Sequence, residues 1–190
     1  RPFVSSGAWV AEVSRGIVSS VVVARSGPTP PPRLFDPCCG SGTNLWAAAS
    51  RGGSVAGSDR DATKADGCRR NLAHAGVALE SVGVRDASRD ALPAASDADC
   101  AVLNLPWGER VRQTHGENDR ILANVAAHLR SGTPVACLAT DGGGRDWGRL
   151  GYEVERAADV TPGTTKRGKA SFDGAATGQL LRVRELSTLA

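Results

Sequence analysis

The stretch "LFDPCCGSGTNLWAAAS", from Leu34 to Ser50, decides how this chain is read. Leu34 and Phe35 form a short apolar strand, closed by Asp36 and Pro37. A glycine-rich turn follows, and Thr43 to Ser50 is rich in helix formers. A strand, a turn and a helix in that order bring backbone N–H groups and close-approaching glycines to a helix start, where a cofactor can be cradled. Gly40 and Gly42 allow backbone angles and contacts that a Cβ would block. An ordinary tight turn is the plain alternative, and the position after a first strand favours the cradle.

The same pattern repeats outward from this stretch. "SVAGS" (Ser54 to Ser58) reads as a strand of small residues, and Ala65, Cys68, Leu72 and Ala75 recur at helical spacing up to Gly76, a C-terminal cap. "SVGVR" (Ser81 to Arg85) and "CAVL" (Cys100 to Leu103) fit a third and a fourth strand. Ile121, Leu122, Val125 and Leu129 mark an amphipathic helix with Asn118 or Asp119 as N-cap and Gly132 as terminator. "PVACLA" (Pro134 to Ala139) fits a fifth strand. Strands alternating with helices predict a parallel sheet covered on both faces, with ligands gathered at the carboxyl ends of its strands. "YEVERA" (Tyr152 to Ala157) and "GQLLRVRE" (Gly178 to Glu185) alternate in polarity with no helix between them, which predicts an antiparallel pair at one edge.

Upstream, Val13, Ile17 and Val21 continue the helical spacing from Val10, and the prolines of "RSGPTPPPR" (Arg25 to Arg33) stop that helix. The length of 190 residues fits one domain. Its expected parts are an N-terminal helix and Pro-rich linker (1–32), an alternating core (33–150) and antiparallel edge strands (151–190). The chain contains no methionine, so its initiator was removed or lies upstream, which leaves room for a missing N-terminal domain.

A net charge of +3 permits a nucleic-acid partner without identifying one. Five cysteines, with no CxxC and no paired metal spacing, suggest a reducing cytoplasm and no metal site. "GIVSSVVVA" (Gly16 to Ala24) is too short to span a bilayer, and Glu12 and Arg15 sit where a signal peptide would stay uncharged, so no membrane role is expected.

Three acids fall at three successive strand ends. A dinucleotide turn would want a third glycine where Leu45 stands, which weakens a nicotinamide reading. Asp59, closing the second strand, is placed to accept two hydrogen bonds from a ribose diol, and Asp86, after the third, to accept one from an exocyclic adenine amine. Any one of them alone is more often a solvated turn residue; the three together point to adenosine.

"DPCCGSGT" (Asp36 to Thr43), "GSDRD" (Gly57 to Asp61), "RDA" (Arg85 to Ala87) and "NLPWG" (Asn104 to Gly108) fall in order on consecutive strands, and together they resemble the class I S-adenosylmethionine-dependent methyltransferases. The likeness is closer to the branch that methylates guanine N2 in RNA, including the THUMP-associated tRNA enzymes. It is strongest from Leu34 to Arg112 and only topological beyond. The resemblance implies a Rossmann-like α/β fold with a mostly parallel seven-stranded sheet, an antiparallel edge hairpin and helices on both faces. It also implies S-adenosyl-L-methionine as cofactor and tRNA or rRNA as partner. On that resemblance the glycine turn, Asp36 with Cys39, Gly40, Ser41, Gly42 and Thr43, would hold the methionine end of the cofactor. Asp59 would hold the ribose with Arg60 beside the adenine face, and Asp86 would read the adenine amine with Ala87 nearby. The family tetrapeptide [DN]-P-P-[YFW] corresponds to Asn104, Leu105, Pro106 and Trp107. Leu105 replaces the first proline and keeps its carbonyl available, while the choice of base stays open.

An exocyclic amine is a poor nucleophile because its lone pair is conjugated into the base. The Asn104 side-chain oxygen and the Leu105 carbonyl can each accept one N–H bond, favouring a pyramidal nitrogen aimed at the methyl group, with Asn104 also near the cofactor. Pro106 would fix the turn, and Trp107 would stack on the base, worth roughly 1–3 kcal/mol by analogy with aromatic platforms. Arg110, Arg112, Lys166, Arg167 and Lys169 could meet RNA phosphates, although charged loops are usually only solvated. His115 reads as a bystander. Adenine-N6 methylation of DNA or RNA, a catalytically silent accessory domain and, more distantly, an NAD enzyme remain as alternatives. With little obvious surface for selecting one RNA, an upstream RNA-binding domain or accessory subunit is the expected source of selectivity.

Overall fold

The computed structural model describes residues 31–77, 79–105, 116–139, 145–160 and 176–184. Their strands are β1 (Arg33–Asp36), β2 (Ser54–Asp59), β3 (Leu79–Val84), β4 (Cys100–Asn104), β5 (Pro134–Ala139), β6 (Tyr152–Val160) and β7 (Ala176–Val183). The helices are α1 (Thr43–Ala49), α2 (Ala62–His74) and α3 (Glu117–His128), with a 3₁₀ turn at Pro93–Ala95. The strands form one seven-stranded sheet in the order β3-β2-β1-β4-β5-β7-β6. The pairs from β3 to β5 are parallel. β7 runs antiparallel to both β5 and β6, so the expected edge pair is present, with β7 inserted against β5.

The apolar runs are continuous because both faces of the sheet are covered, and strand alternation sorts them. Leu34, Val55, Cys100, Val102, Ala136 and Leu138 pack with Leu45 and Ala48 of α1 and with Ala65, Cys68 and Leu72 of α2. Their neighbours Phe35, Ala56, Ala101, Leu103, Val135 and Cys137 pack with Ile121, Leu122, Val125 and Ala126 of α3. Phe35 is 1% exposed, and Leu34, Leu45, Leu72 and Leu122 are fully buried, each contributing roughly 1.5–3 kcal/mol of transfer free energy.

Two glycines let the first turn sit this close to the sheet. A Cβ on Gly57 would stand 2.9 Å from the Asp36 carbonyl oxygen and 2.9 Å from Leu45 Cδ1. Gly42, the N-cap of α1, has φ of 90°, and its Cβ would stand 2.8 Å from Cys68 Sγ. Both the angle and the space require glycine.

The boundaries differ in detail from the sequence expectation. β1, β2 and β4 each extend to the acid or amide that closes them, because parallel pairing continues to Asp36↔Gly57, Asp59↔Val84 and Asn104↔Leu138. Gly76 follows α2 as expected, with Val77 N–H donating to the Leu72 carbonyl at 2.9 Å. For α3 the expected caps are corrected: the N-cap is Gly116, the helix begins at Glu117, and Asp119 lies within its first turn. The first helix expected around Val10 to Val21 lies outside the described residues.

Candidate functional site

The turn after β1 is fastened by its own polar groups. Asp36 is fully buried; its Oδ1 accepts the Cys38 N–H at 3.0 Å and its Oδ2 accepts the Asn44 amide at 2.8 Å. Cys39 N–H donates to the Ser58 carbonyl at 2.8 Å, and Asn71 of α2 donates to the Ser41 carbonyl at 3.0 Å. Burial raises the Asp36 carboxyl from 3.8 to about 7, against the lowering effect of the Asn44 and Cys38 bonds and with a smaller push from Asp59. Burial likewise pushes the Cys38 thiol up, and Asp36 and Asp59 add to it, which leaves Cys38 a poor nucleophile.

Beyond this turn, at the carboxyl ends of β1 to β4, lies a cavity of about 300 Å3. It straddles the point where the strand order reverses, β1 lying between β2 and β4, the usual ligand position of an open α/β sheet. Each strand contributes to its wall. The turn after β1 gives Pro37, Cys38 and Gly40; the end of β2 gives Asp59 and Arg60 just beyond it; the loop after β3 gives Arg85, Asp86 and Ala87; the end of β4 gives Asn104 and Leu105 just beyond it. Lys64 of α2 and Glu117 and Ile121 of α3 complete it.

Asp59 is 8% exposed. Its Oδ2 accepts the Gly40 N–H at 2.9 Å and its Oδ1 accepts the Asp61 N–H at 2.9 Å. Each oxygen keeps a second lone pair, so the carboxylate can still accept a pair of hydroxyls. Asp86 takes the Ser88 N–H at 3.0 Å and the Ser88 hydroxyl at 2.7 Å on Oδ1, with Arg89 Nε 3.2 Å from Oδ2. Desolvation pushes the Asp86 carboxyl up, but the Ser88 bonds and the Arg89 and Arg60 charges outweigh it and hold the group below its ordinary value. The acid is therefore ionised and oriented, an acceptor for an amine.

α3 closes the far wall. Glu117, 4% exposed, forms an ion pair with Arg60 across the cavity, joining the end of β2 to the start of α3. Asn124 donates to the Ala87 carbonyl at 3.0 Å and the Asp90 carbonyl at 2.9 Å, fixing the loop after β3. The buried Tyr152 hydroxyl donates to the Leu122 carbonyl at 2.9 Å; burial raises its pKa, so it serves as a neutral tie between α3 and β6.

Of the residues singled out from sequence, the cavity brings together Gly40, Asp59, Arg60, Asp86, Ala87, Asn104 and Leu105. Asp36, Cys39, Ser41, Gly42 and Thr43 build the turn behind Gly40 and do not border it. Pro106, Trp107, Arg110, Arg112, His115, Lys166, Arg167 and Lys169 lie outside the described residues. Sequence reasoning missed Lys64, Arg85, Glu117 and Ile121. Glu117 carries no local signal, since its partner Arg60 is distant in the chain; Arg85 flanks the recognised Asp86 and was legible as its neighbour, and Lys64 lies three residues after Asp61.

The cavity suits an adenosine-bearing cofactor. Two acids on adjacent strands stand where a ribose and an amine would need acceptors, and Gly40 presents no side chain between them. Residues 11–140 match the family model described as "RMKL-like, methyltransferase domain". A tRNA (guanine(10)-N2)-dimethyltransferase from Methanothermobacter thermautotrophicus is 33% identical over 108 residues, which is 57% of this chain. The chain spans 30% of that relative's length. Among solved structures, TrmN from Thermus thermophilus superposes with a TM-score of 0.64 at 18% identity, covering 91% of this chain and 48% of that one. An RNA methyltransferase from Salinibacter ruber, in complex with S-adenosyl-L-homocysteine, gives 0.59 at 18% identity, covering 96% and 95%. These structural likenesses establish the Rossmann-like fold expected from sequence.

Proposed function

The chain belongs to the RMKL-like methyltransferase domain family, and on that premise we propose that it methylates an exocyclic base amine in RNA from S-adenosyl-L-methionine, at guanine N2 of tRNA or rRNA. The observation that carries this reading is the convergence of Asp59, Asp86 and Asn104 on one cavity at the ends of three strands. The guanine-N2 relative supports the choice of base. When bound, the cofactor supplies an electrophilic methyl group on a sulfonium.

In this reading Asp59 accepts the ribose diol, Asp86 accepts the adenine amine, and Gly40 leaves room for the cofactor to approach the backbone. The turn from Asp36 to Thr43 acts behind them by fixing Gly40. Asn104 and Leu105 offer a side-chain oxygen and a main-chain carbonyl to the two N–H bonds of the target amine. Accepting both keeps the nitrogen pyramidal and its lone pair in line with the methyl, and alignment is the main catalytic effect. Trp107, three positions after Asn104 in sequence, is the aromatic residue this reading assigns to stack on a base taken out of its helix. The methylated amine is strongly acidic and loses its proton to water, so no general base is needed.

The test is incubation with cofactor labelled in its methyl group and unmodified tRNA and rRNA, followed by nucleoside analysis. Label in N2-methylguanosine is the expected result. Label only in N6-methyladenosine would move the activity to adenine, and cofactor binding without transfer to any nucleic acid would leave an accessory domain.

A further inference from the structure

Among the described residues three cations border the cavity, Arg60, Lys64 and Arg85, and they differ in what surrounds them. Arg60 is held by the buried Glu117 carboxylate. Lys64 and Arg85 are exposed, and neither side chain has an ion pair or hydrogen bond among the described residues.

Both stand where the fold gives a cation no support. Lys64 lies in the first turn of α2, which contains no acidic residue, so its ammonium is close to the positive end of the helix dipole. The N-cap Asp61 lies nearby, where its carboxylate accepts the Thr63 and Lys64 N–H groups. Arg85 directly follows β3, the strand at the sheet edge. Its stem lies over Gly83, where an added Cβ would meet Arg85 Cγ at 3.5 Å. The neighbouring Asp86 carboxylate already holds Ser88 and Arg89.

The methyl donor does not account for these two charges. It has no phosphate, and with a sulfonium and an ammonium against one carboxylate it is itself a net cation. A polyanionic acceptor does account for them. We propose that Lys64 and Arg85 form a phosphodiester-binding rim, over which the RNA backbone flanking the target base passes toward the β3 edge. The inference rests on the RNA reading above and adds where the strand lies. From β4, which carries Asn104, to β3 is three strand spacings in the sheet order, about 14 Å, so the rim meets backbone a few nucleotides from the base.

The test compares the wild-type chain with a Lys64→Gln/Arg85→Gln double variant. Binding of an unmodified tRNA transcript is measured across a salt series, and binding of S-adenosyl-L-homocysteine by calorimetry. Two lost phosphate contacts on a single strand make the slope of log K against log salt shallower by about 1.4, which is about 25-fold weaker binding near 0.1 M salt and convergence near 1 M. Both side chains border the cofactor cavity, so the salt series is run with S-adenosyl-L-homocysteine saturating and any change in its own affinity is read separately. A charge-conserving Lys64→Arg/Arg85→Lys variant keeps the wild-type slope. An unchanged slope in the glutamine variant, an equal loss of slope in the charge-conserving one, or a fall in S-adenosyl-L-homocysteine affinity with RNA binding intact overturns the rim. If the wild-type chain methylates RNA while the slope does not move, the rim alone fails. If wild type neither methylates nor binds RNA, the RNA reading fails and the rim with it.

Discussion

Replacing Asp36 by Asn should remove a pH dependence of folding that the buried turn creates. The Asp36 carboxyl titrates at about 7 in the folded chain, against 3.8 when unperturbed, because burial disfavours its charge. The folded state therefore binds the proton more tightly. The contribution to stability is fully present below pH 3.8, falls by about 1.4 kcal/mol per unit as pH rises between 3.8 and about 7, and is lost above that. Over the whole window the change amounts to about 4 kcal/mol. Asparagine imitates the protonated acid. Its oxygen can still accept the Cys38 N–H, and its amide can donate to Asn44 Oδ1, an atom with no hydrogen-bond partner among the described residues, once the Asn44 amide is turned over. Urea unfolding of both proteins from pH 4 to pH 8.5 is the assay. The two should have similar stability near pH 4, and the variant should be more stable by up to about 4 kcal/mol near pH 8. Other titrating groups act equally on both and cancel in the difference. Parallel stability curves across this range would refute the reasoning.

Arg60→Ala leaves Glu117 with less compensation for its buried charge. A double-mutant cycle with Glu117→Gln, followed by chemical denaturation, should give a coupling of about 1 kcal/mol, since Arg60 is partly open to solvent. Gly42→Ala should cost about 2–3 kcal/mol in thermal or urea unfolding, from the positive φ together with the 2.8 Å approach to Cys68 Sγ. Adding Cys68→Ala should recover only the steric part. Asn104→Ala should abolish methyl transfer while changing cofactor affinity little, read by single-turnover transfer and calorimetry; loss of cofactor binding would mean that Asn104 serves the donor and not the acceptor.

The fold was largely legible because its signals are local. The pairs Leu34 and Phe35, Val55 and Ala56, and Ala101 and Val102 each send one side chain to either face, and a sequence buried on both faces announces itself as an unbroken apolar run. The strand-end acids were legible for a similar reason: Asp59 and Asp86 interrupt those runs where each strand ends or has just ended. Less legible was the start of α3. Asn118 and Asp119 are the better capping residues, yet the helix starts earlier, at Glu117, whose carboxylate meets Arg60. The Asp36 to Asn44 bond was hidden for a related reason. Nothing in "TNLWAAAS" distinguishes an amide facing solvent from one turned under the sheet. Contacts between segments far apart in the chain, as in the Arg60–Glu117 pair, are made by topology and leave no spacing to read.

A crystal structure of the chain with S-adenosyl-L-homocysteine tests the central claim most directly. The account predicts the ribose on Asp59, the adenine amine at Asp86 and the sulfur facing Asn104. A ligand bound away from this cavity, or a sulfur with Asn104 turned away from it, would contradict the account.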